Sequence, residues 1–147
     1  MEDLILLVED NPDDQELTLR ALRHSNIANP VKIIADGAEA LDYLLRLGPY
    51  AEPATSPRPR VVLLDLKLPK VSGMAVLQAV RENAPTRTLP VVVLTSSAEE
   101  RDVAESYGHG ANSFVRKPLG FTDFAEAVRQ LGLYWLLLNE RAPADRR

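Results

Sequence analysis

The residues with the most chemical potential in this 147-residue chain follow short apolar runs. Glu9 and Asp10 come after Leu4–Val8, and Asp65 comes after four apolar residues in the run Val61–Leu66. Thr95 ends the run Val91–Thr95, and Ser113–Val115 leads into Lys117-Pro118. Three carboxylates, a hydroxyl and an ammonium gathered in one place would form a phosphoryl-transfer site. Adjacent carboxylates repel one another, so ionisation is costly unless a cation is present. Oxygen-rich acidic sites with an incomplete protein shell suit Mg²⁺, which keeps waters and recruits phosphate oxygens; the residues do not separate it from Mn²⁺. With the charge neutralised, one carboxylate can attack a phosphoryl donor and become an aspartyl phosphate. Such transfer needs mainly positioning and charge stabilisation, which a divalent cation and a lysine supply.

Each residue alone has a plainer explanation. An acidic pair after a strand is often a helix-start signal, which Asn11-Pro12-Asp13-Asp14 also fits. Thr95 alone reads as a strand-end cap, and Lys117 alone as a solvated lysine. Asp65 is harder to dismiss, because burying an unpaired carboxylate is expensive.

The elements that must position these residues alternate. The five runs are Leu4–Val8, Val31–Ala35, Val61–Leu66, Val91–Thr95 and Ser113–Val115. The first, third and fourth are continuously apolar, as in strands buried on both faces of a parallel sheet. Helical stripes fall between them, over Asp13–Arg23, Ala38–Leu47 with Gly48 as its stop, Gly73–Glu82 and Ala98–Tyr107, with a last one over Thr122–Leu138. Acidic residues open the first, and Ser96 or Ser97 caps the fourth. Alternating strands and helices predict βαβ units and an open parallel sheet covered on both sides. Gly48–Pro59, with its four prolines, reads as a surface loop. In such a sheet ligands bind beyond the carboxyl ends of the strands, where all five candidates fall.

Composition limits the alternatives. A net charge of −4 and an acidic balance argue against a nucleic-acid surface. With no cysteine, disulfides and thiolate metal sites are excluded. The first apolar run is too short to span a membrane and lacks a basic start, so a cytoplasmic location is expected.

The segments Leu6-Leu7-Val8-Glu9-Asp10-Asn11, Leu63-Leu64-Asp65-Leu66-Lys67-Leu68-Pro69, Ser72-Gly73-Met74, Val93-Leu94-Thr95-Ser96 and Lys117-Pro118 occur in order on the expected strand ends. Together they resemble the receiver domain of bacterial two-component response regulators over nearly the whole chain. The resemblance implies a doubly wound (βα)5 flavodoxin-like α/β fold with sheet order 2-1-3-4-5. It further implies that Asp65 is the phosphoacceptor, that Asp10 binds Mg²⁺ or Mn²⁺ directly, that Glu9 assists through water, and that the Lys67 carbonyl completes the protein ligands. Thr95 would bind the attached phosphoryl group and Lys117 would pair with a phosphate oxygen, aimed inward by a cis Lys117-Pro118 bond. Phe114 matches the switch aromatic, whose movement with Thr95 changes the face of helix four, strand five and helix five. The Pro-rich loop and Lys67-Leu68-Pro69-Lys70 resemble stand-alone regulators of bacterial phytochrome-type histidine kinases.

Residues 1–140 are then expected to form a single receiver domain with an extended last helix, 141–147 a flexible polar tail, and no output domain. The stretch Leu131–Leu138 is apolar on every side of a helix, and Tyr134, Trp135 and Leu138 on it predict a homodimer interface. Two alternatives carry a different function. An aspartate-nucleophile phosphatase would place a second aspartate two residues after the first, where this chain has Lys67. A receiver-like scaffold that is never phosphorylated would not need the full set of acidic residues, Thr95 and Lys117.

Overall fold

Successive side chains of a strand point to opposite faces of its sheet, and in this chain both faces are apolar. Ile5, Leu7, Val61, Leu63, Val92 and Leu94 gather on one side, and Leu6, Val8, Ile34, Val62, Leu64 and Val93 on the other. The computed structural model describes residues 4–24, 27–52, 54, 56–95, 100–116, 126–127 and 129–130. Five parallel strands form one sheet, β1 (Ile5–Val8), β2 (Val31–Ile34), β3 (Val61–Leu64), β4 (Val91–Thr95) and β5 (Ser113–Arg116), in the order 2-1-3-4-5. This is the predicted flavodoxin-like order.

The helices between them are α1 (Pro12–His24), α2 (Gly37–Leu45), α3 (Gly73–Glu82) and α4 (Glu100–Gly108). Ala21 and Leu22 of α1 cover one face of the sheet, while Ala40, Tyr43 and Leu44 of α2 and Val76, Leu77 and Val80 of α3 cover the other. Leu77 is fully enclosed. Leu77→Ala is therefore expected to cost about 2–5 kcal/mol, seen as a lower urea midpoint with an unchanged slope.

Local signals set most helix ends. Asp13 and Asp14 open α1 against the positive end of its dipole. Ser72 caps α3 by accepting from the Ala75 amide at 3.2 Å. The expected end of α2 is corrected. The helix stops at Leu45, not Leu47, because Arg46 takes the left-handed conformation (φ 57°, ψ 55°). The amides of Arg46 and Leu47 both turn back to the Asp42 carbonyl, the latter at 2.8 Å. Gly48 instead opens a short 3₁₀ turn, Gly48–Tyr50. In α4, helix is described from Glu100, since 96–99, including the expected caps, lie outside the described residues. The last helical stretch is described only at 126–127 and 129–130, which are helical.

The Pro-rich segment is a loop pinned onto α2. The Tyr43 hydroxyl donates to the Pro57 carbonyl at 2.7 Å, and Arg58 donates to the Leu44 carbonyl at 2.6 Å. Burial raises the pKa of Tyr43, so its hydroxyl keeps the proton it donates. Ser56, predicted to be on the surface with the rest of the loop, is buried, donating to the Tyr50 carbonyl at 3.1 Å.

At the opposite end of the sheet from the strand carboxyl ends, Arg81 joins three segments. It donates to the Gly110 carbonyl at 2.9 Å, the Leu89 carbonyl at 2.7 Å and the Asn112 side chain at 2.8 Å. Burial lowers its pKa. Arg81→Met would strand several acceptors, and about 1–3 kcal/mol of lost stability is expected in chemical denaturation.

Candidate functional site

The register of the sheet decides which residues meet. Val8 pairs with Leu64 across β1 and β3, and the Asp65 amide donates to the Val8 carbonyl at 3.1 Å. Glu9 continues β1 the same way, its amide donating to the Ile34 carbonyl at 3.0 Å. Asp65, Glu9 and Asp10 therefore leave the sheet side by side at the carboxyl ends of neighbouring strands. One carboxylate oxygen from each lies within 4.8 Å of the others. Glu9 and Asp65 are buried, at 2% and 9% exposure, and Asp10 is exposed. The site thus has a protein-facing floor and a mouth open to solvent.

The turn into α1 is built around Glu9 and Asn11. The Asn11 side-chain oxygen accepts from the amides of Asp13 and Asp14 at 2.8 and 3.1 Å, which is the helix-start role that this segment suggested. The Asn11 amide donates to the Glu9 carboxylate at 3.2 Å, and the Gln15 side chain donates to the Glu9 carbonyl at 2.6 Å. The helix-start reading and the site reading are thus both satisfied, by neighbouring residues. Gln15 escaped the sequence reading because nothing in its spacing marks it as reaching back to Glu9.

The loop from β3 to α3 holds the other side. The Lys67 amide donates to the Asp65 carboxylate at 3.3 Å. The Gly73 amide closes the loop onto the Leu66 carbonyl at 2.8 Å. Lys70 takes a left-handed φ of 68°, a conformation that costs a side-chain-bearing residue about 1–2 kcal/mol unless its surroundings hold it.

Thr95 closes β4 and pairs in register with Arg116 of β5, and Phe114 lies in β5 opposite Val93. This puts Thr95 at the same edge of the sheet as Asp65. Lys117 with its Lys117-Pro118 bond, and Tyr134, Trp135 and Leu138, lie outside the described residues.

The donor set suits a hard divalent cation. The cluster provides only oxygens, and a small inward adjustment of these side chains would set them around one ion, with water completing the shell. Two buried carboxylates beside an exposed third are stabilised together by a cation placed between them. Among the described residues no helix is long and apolar enough to cross a membrane.

Comparisons with known proteins agree with this geometry. Residues 5–129 match the response regulator receiver domain family. The response regulator Rcp1 of Synechocystis is 38% identical over 133 residues, 90% of this chain and 88% of that protein. A structure of its Mn²⁺-bound form superposes with a TM-score of 0.86 at 36% identity, covering 96% of this chain and 99% of that one. The bacteriophytochrome response regulator AtBRR gives a TM-score of 0.75 at 53% identity, covering 95% of this chain and 99% of that one. The phosphorylated cyanobacterial phytochrome response regulator RcpA gives 0.89 at 34% identity, covering 97% of this chain and all of that one. With the strand order, the acidic cluster and the matched span in agreement, this chain belongs to the response regulator receiver domain family.

Proposed function

We propose that this chain is a phosphorylation-controlled signalling switch in which Asp65 accepts a phosphoryl group from the phosphohistidine of a sensor histidine kinase. The observation that carries this reading is the convergence of the Glu9, Asp10 and Asp65 carboxylates at the carboxyl ends of β1 and β3. Asp10, Asp65, the Lys67 carbonyl and, through water, Glu9 are assigned to Mg²⁺ or Mn²⁺. When bound, the ion neutralises charge on the carboxylates and on the phosphoryl oxygens.

The chain's own residues do the rest. An Asp65 carboxylate oxygen bonds to phosphorus as the donor's P–N bond breaks, and the imidazole leaves with the electron pair and takes up a proton. The hydrogen bond from the Lys67 amide holds the carboxylate in one orientation for that attack. Thr95, at the end of β4, is assigned the hydroxyl that binds the new phosphoryl group, and Lys117, one residue past β5, the ammonium that pairs with it. Phe114 is assigned the aromatic that follows Thr95, which alters the surface of α4, β5 and the helix after them. The phosphate shifts a balance between two states by its differential interaction with them.

In this reading the chain is no enzyme in the turnover sense, acting only on its own phosphorylation and dephosphorylation. The names of AtBRR and RcpA support a bacteriophytochrome-type kinase as the partner, and the phosphorylated state of RcpA supports the acceptor role. A cytoplasmic location goes with that partnership, because the kinase's phosphoryl group originates from ATP.

Incubation with acetyl phosphate and Mg²⁺, followed by intact mass measurement, tests the reading. The chain gains one phosphoryl group, and EDTA prevents the gain. No gain under conditions that phosphorylate RcpA would count against it. The apolar stretch at 131–138 supports a homodimer through Tyr134, Trp135 and Leu138. Size-exclusion chromatography with light scattering should give twice the chain mass at micromolar concentration, and a monomer there would remove that assignment.

A further inference from the structure

The β3–α3 loop rests on the start of α2. The Gly37 amide donates to the Pro69 carbonyl at 3.2 Å. A Cβ at Gly37 would stand 1.8 Å from the Val71 carbonyl oxygen and 2.7 Å from the Val71 carbonyl carbon. Both atoms are backbone, so no rotamer change would make room. Asp36 divides its carboxylate between two tasks. One oxygen caps α2 by accepting from the Glu39 amide at 2.7 Å, and the other faces the Lys70 ammonium at 3.7 Å. Val71 and Leu68 pack against the core shared by α2 and α3. The loop also carries the left-handed Lys70, a tight turn from the Val71 amide to the Pro69 carbonyl at 2.8 Å, and the Lys67 amide that donates to Asp65.

We infer that Gly37 is a positioning residue for the acidic site, acting through the β3–α3 loop although it touches none of the three carboxylates. The close approach at Gly37 sets where Pro69 to Val71 lie. Through the short path to Lys67 it also sets how the Lys67 peptide presents its amide to Asp65 and its carbonyl to the site. A loop lifted by a single methyl group at position 37 would loosen both. This inference rests on the proposed binding of a divalent cation by Glu9, Asp10 and Asp65, and it adds a residue from a different strand–helix junction to that site.

The test is calorimetric titration of the full chain with Mg²⁺ alone, with folding followed by circular dichroism. Three variants are compared with the wild type, namely Gly37→Ala, Val71→Ala and Thr86→Val. Val71→Ala weakens the loop's apolar anchor without adding a clash, and decides the matter if Gly37→Ala does not fold. Thr86→Val is the control, since it removes the hydrogen bond from the buried Thr86 hydroxyl to the Val80 carbonyl, at the other end of α3 from the loop. The expected result is a Mg²⁺ dissociation constant raised on the order of tenfold in Gly37→Ala, the usual effect of disturbing groups behind metal ligands. A rise of threefold or more is expected in Val71→Ala, with the constant unchanged in Thr86→Val despite its lower melting temperature. If the wild type binds Mg²⁺ and the folded loop variants stay within threefold of it, Gly37 has only a structural role. An equal weakening in Thr86→Val would likewise reduce the effect to lost stability. If the wild type itself takes up no Mg²⁺, the cation site falls, and this inference with it.

Discussion

Asp65→Asn is expected to abolish phosphoryl uptake, with the initial rate from acetyl phosphate and Mg²⁺ falling by more than about a hundredfold, as when an enzyme loses its nucleophile. Asparagine nearly matches aspartate in shape. Its side-chain oxygen can still accept from the Lys67 amide, so the hydrogen bond at 3.3 Å survives and the fold is retained. What disappears is the anionic oxygen that bonds to phosphorus, because the amide's lone pair is delocalised and it carries no charge. The loss therefore falls on chemistry and not on folding, and circular dichroism should show an unchanged melting transition or a modest rise. A rise has a simple cause, since removing one of three clustered negative charges relieves their repulsion. The neighbouring carboxylates do not take over easily. Glu9 is buried and already accepts from the Asn11 amide. Asp10 is exposed but is assigned to the cation. Intact mass measurement over time checks the prediction, followed by peptide mapping of the wild-type product. An equal gain of one phosphoryl group in both proteins would overturn the assignment of Asp65.

Gly73→Ala is expected to lower stability strongly through one added methyl group at the edge of the site. A Cβ there would lie 2.0 Å from the Asp65 carbonyl oxygen and 2.7 Å from the Leu66 Cα. Both are main-chain atoms at the point where β3 ends, and the Gly73 amide is bonded to the Leu66 carbonyl at 2.8 Å. The methyl group must therefore displace either the start of α3 or the backbone of Asp65 itself. Overpacking typically costs 1–3 kcal/mol when side chains can adjust. With backbone on the other side, about 3 kcal/mol or more is expected, which for a chain of this size lowers the melting temperature by roughly 6–12 °C. The opposing gain, alanine's better helix propensity by about 1 kcal/mol, is smaller and is reduced further at a helix's first position. Thermal unfolding checks this, and a melting temperature within about 2 °C of wild type, equivalent to about 0.5–1 kcal/mol, would show that the strand end yields readily. A second readout follows from geometry. Because the clash falls on Asp65, surviving Gly73→Ala should also be phosphorylated more slowly.

The two variants separate the parts of the site. The first removes a reacting atom and leaves the frame intact; the second moves the frame and leaves every reacting atom in the chain. Arg81→Met, at the other end of the sheet, should lower stability without changing the rate of phosphoryl uptake by the folded protein, which follows from its distance along the fold from the strand carboxyl ends.

Local chemistry in the sequence determined much of this protein. The continuous apolar runs predicted strands buried on both faces, because a parallel sheet covered by helices leaves no polar side. The predicted spans of β4 and α3 coincide with those observed. For α3 the reason is local, a Ser72 cap at one end and Asn83 leaving helical geometry at the other. The acidic cluster was legible for a related reason. Charged residues directly after buried apolar strands have nowhere to go but the sheet edge, and parallel strands bring their ends to the same edge.

Long-range contact decided the remainder. The end of α2 looked like Gly48, the residue best suited to a left-handed turn. The chain placed that turn at Arg46, and its guanidinium reaches the Ser56 carbonyl at 3.4 Å in a loop that no helix signal mentions. The gathering by Arg81 of Gly110, Leu89 and Asn112 links residues up to 31 positions apart, beyond any local periodicity. Gly37 and Gly73 show the difference most clearly. As letters they were a residue before one helix and the start of another. Only the packed structure reveals that each faces a backbone carbonyl where a methyl group has no room. Hydrophobic period and strand-end charge are properties of neighbours along the chain, so the sequence holds them. Close approach is a property of segments that meet only after folding, and the tertiary structure alone sets it.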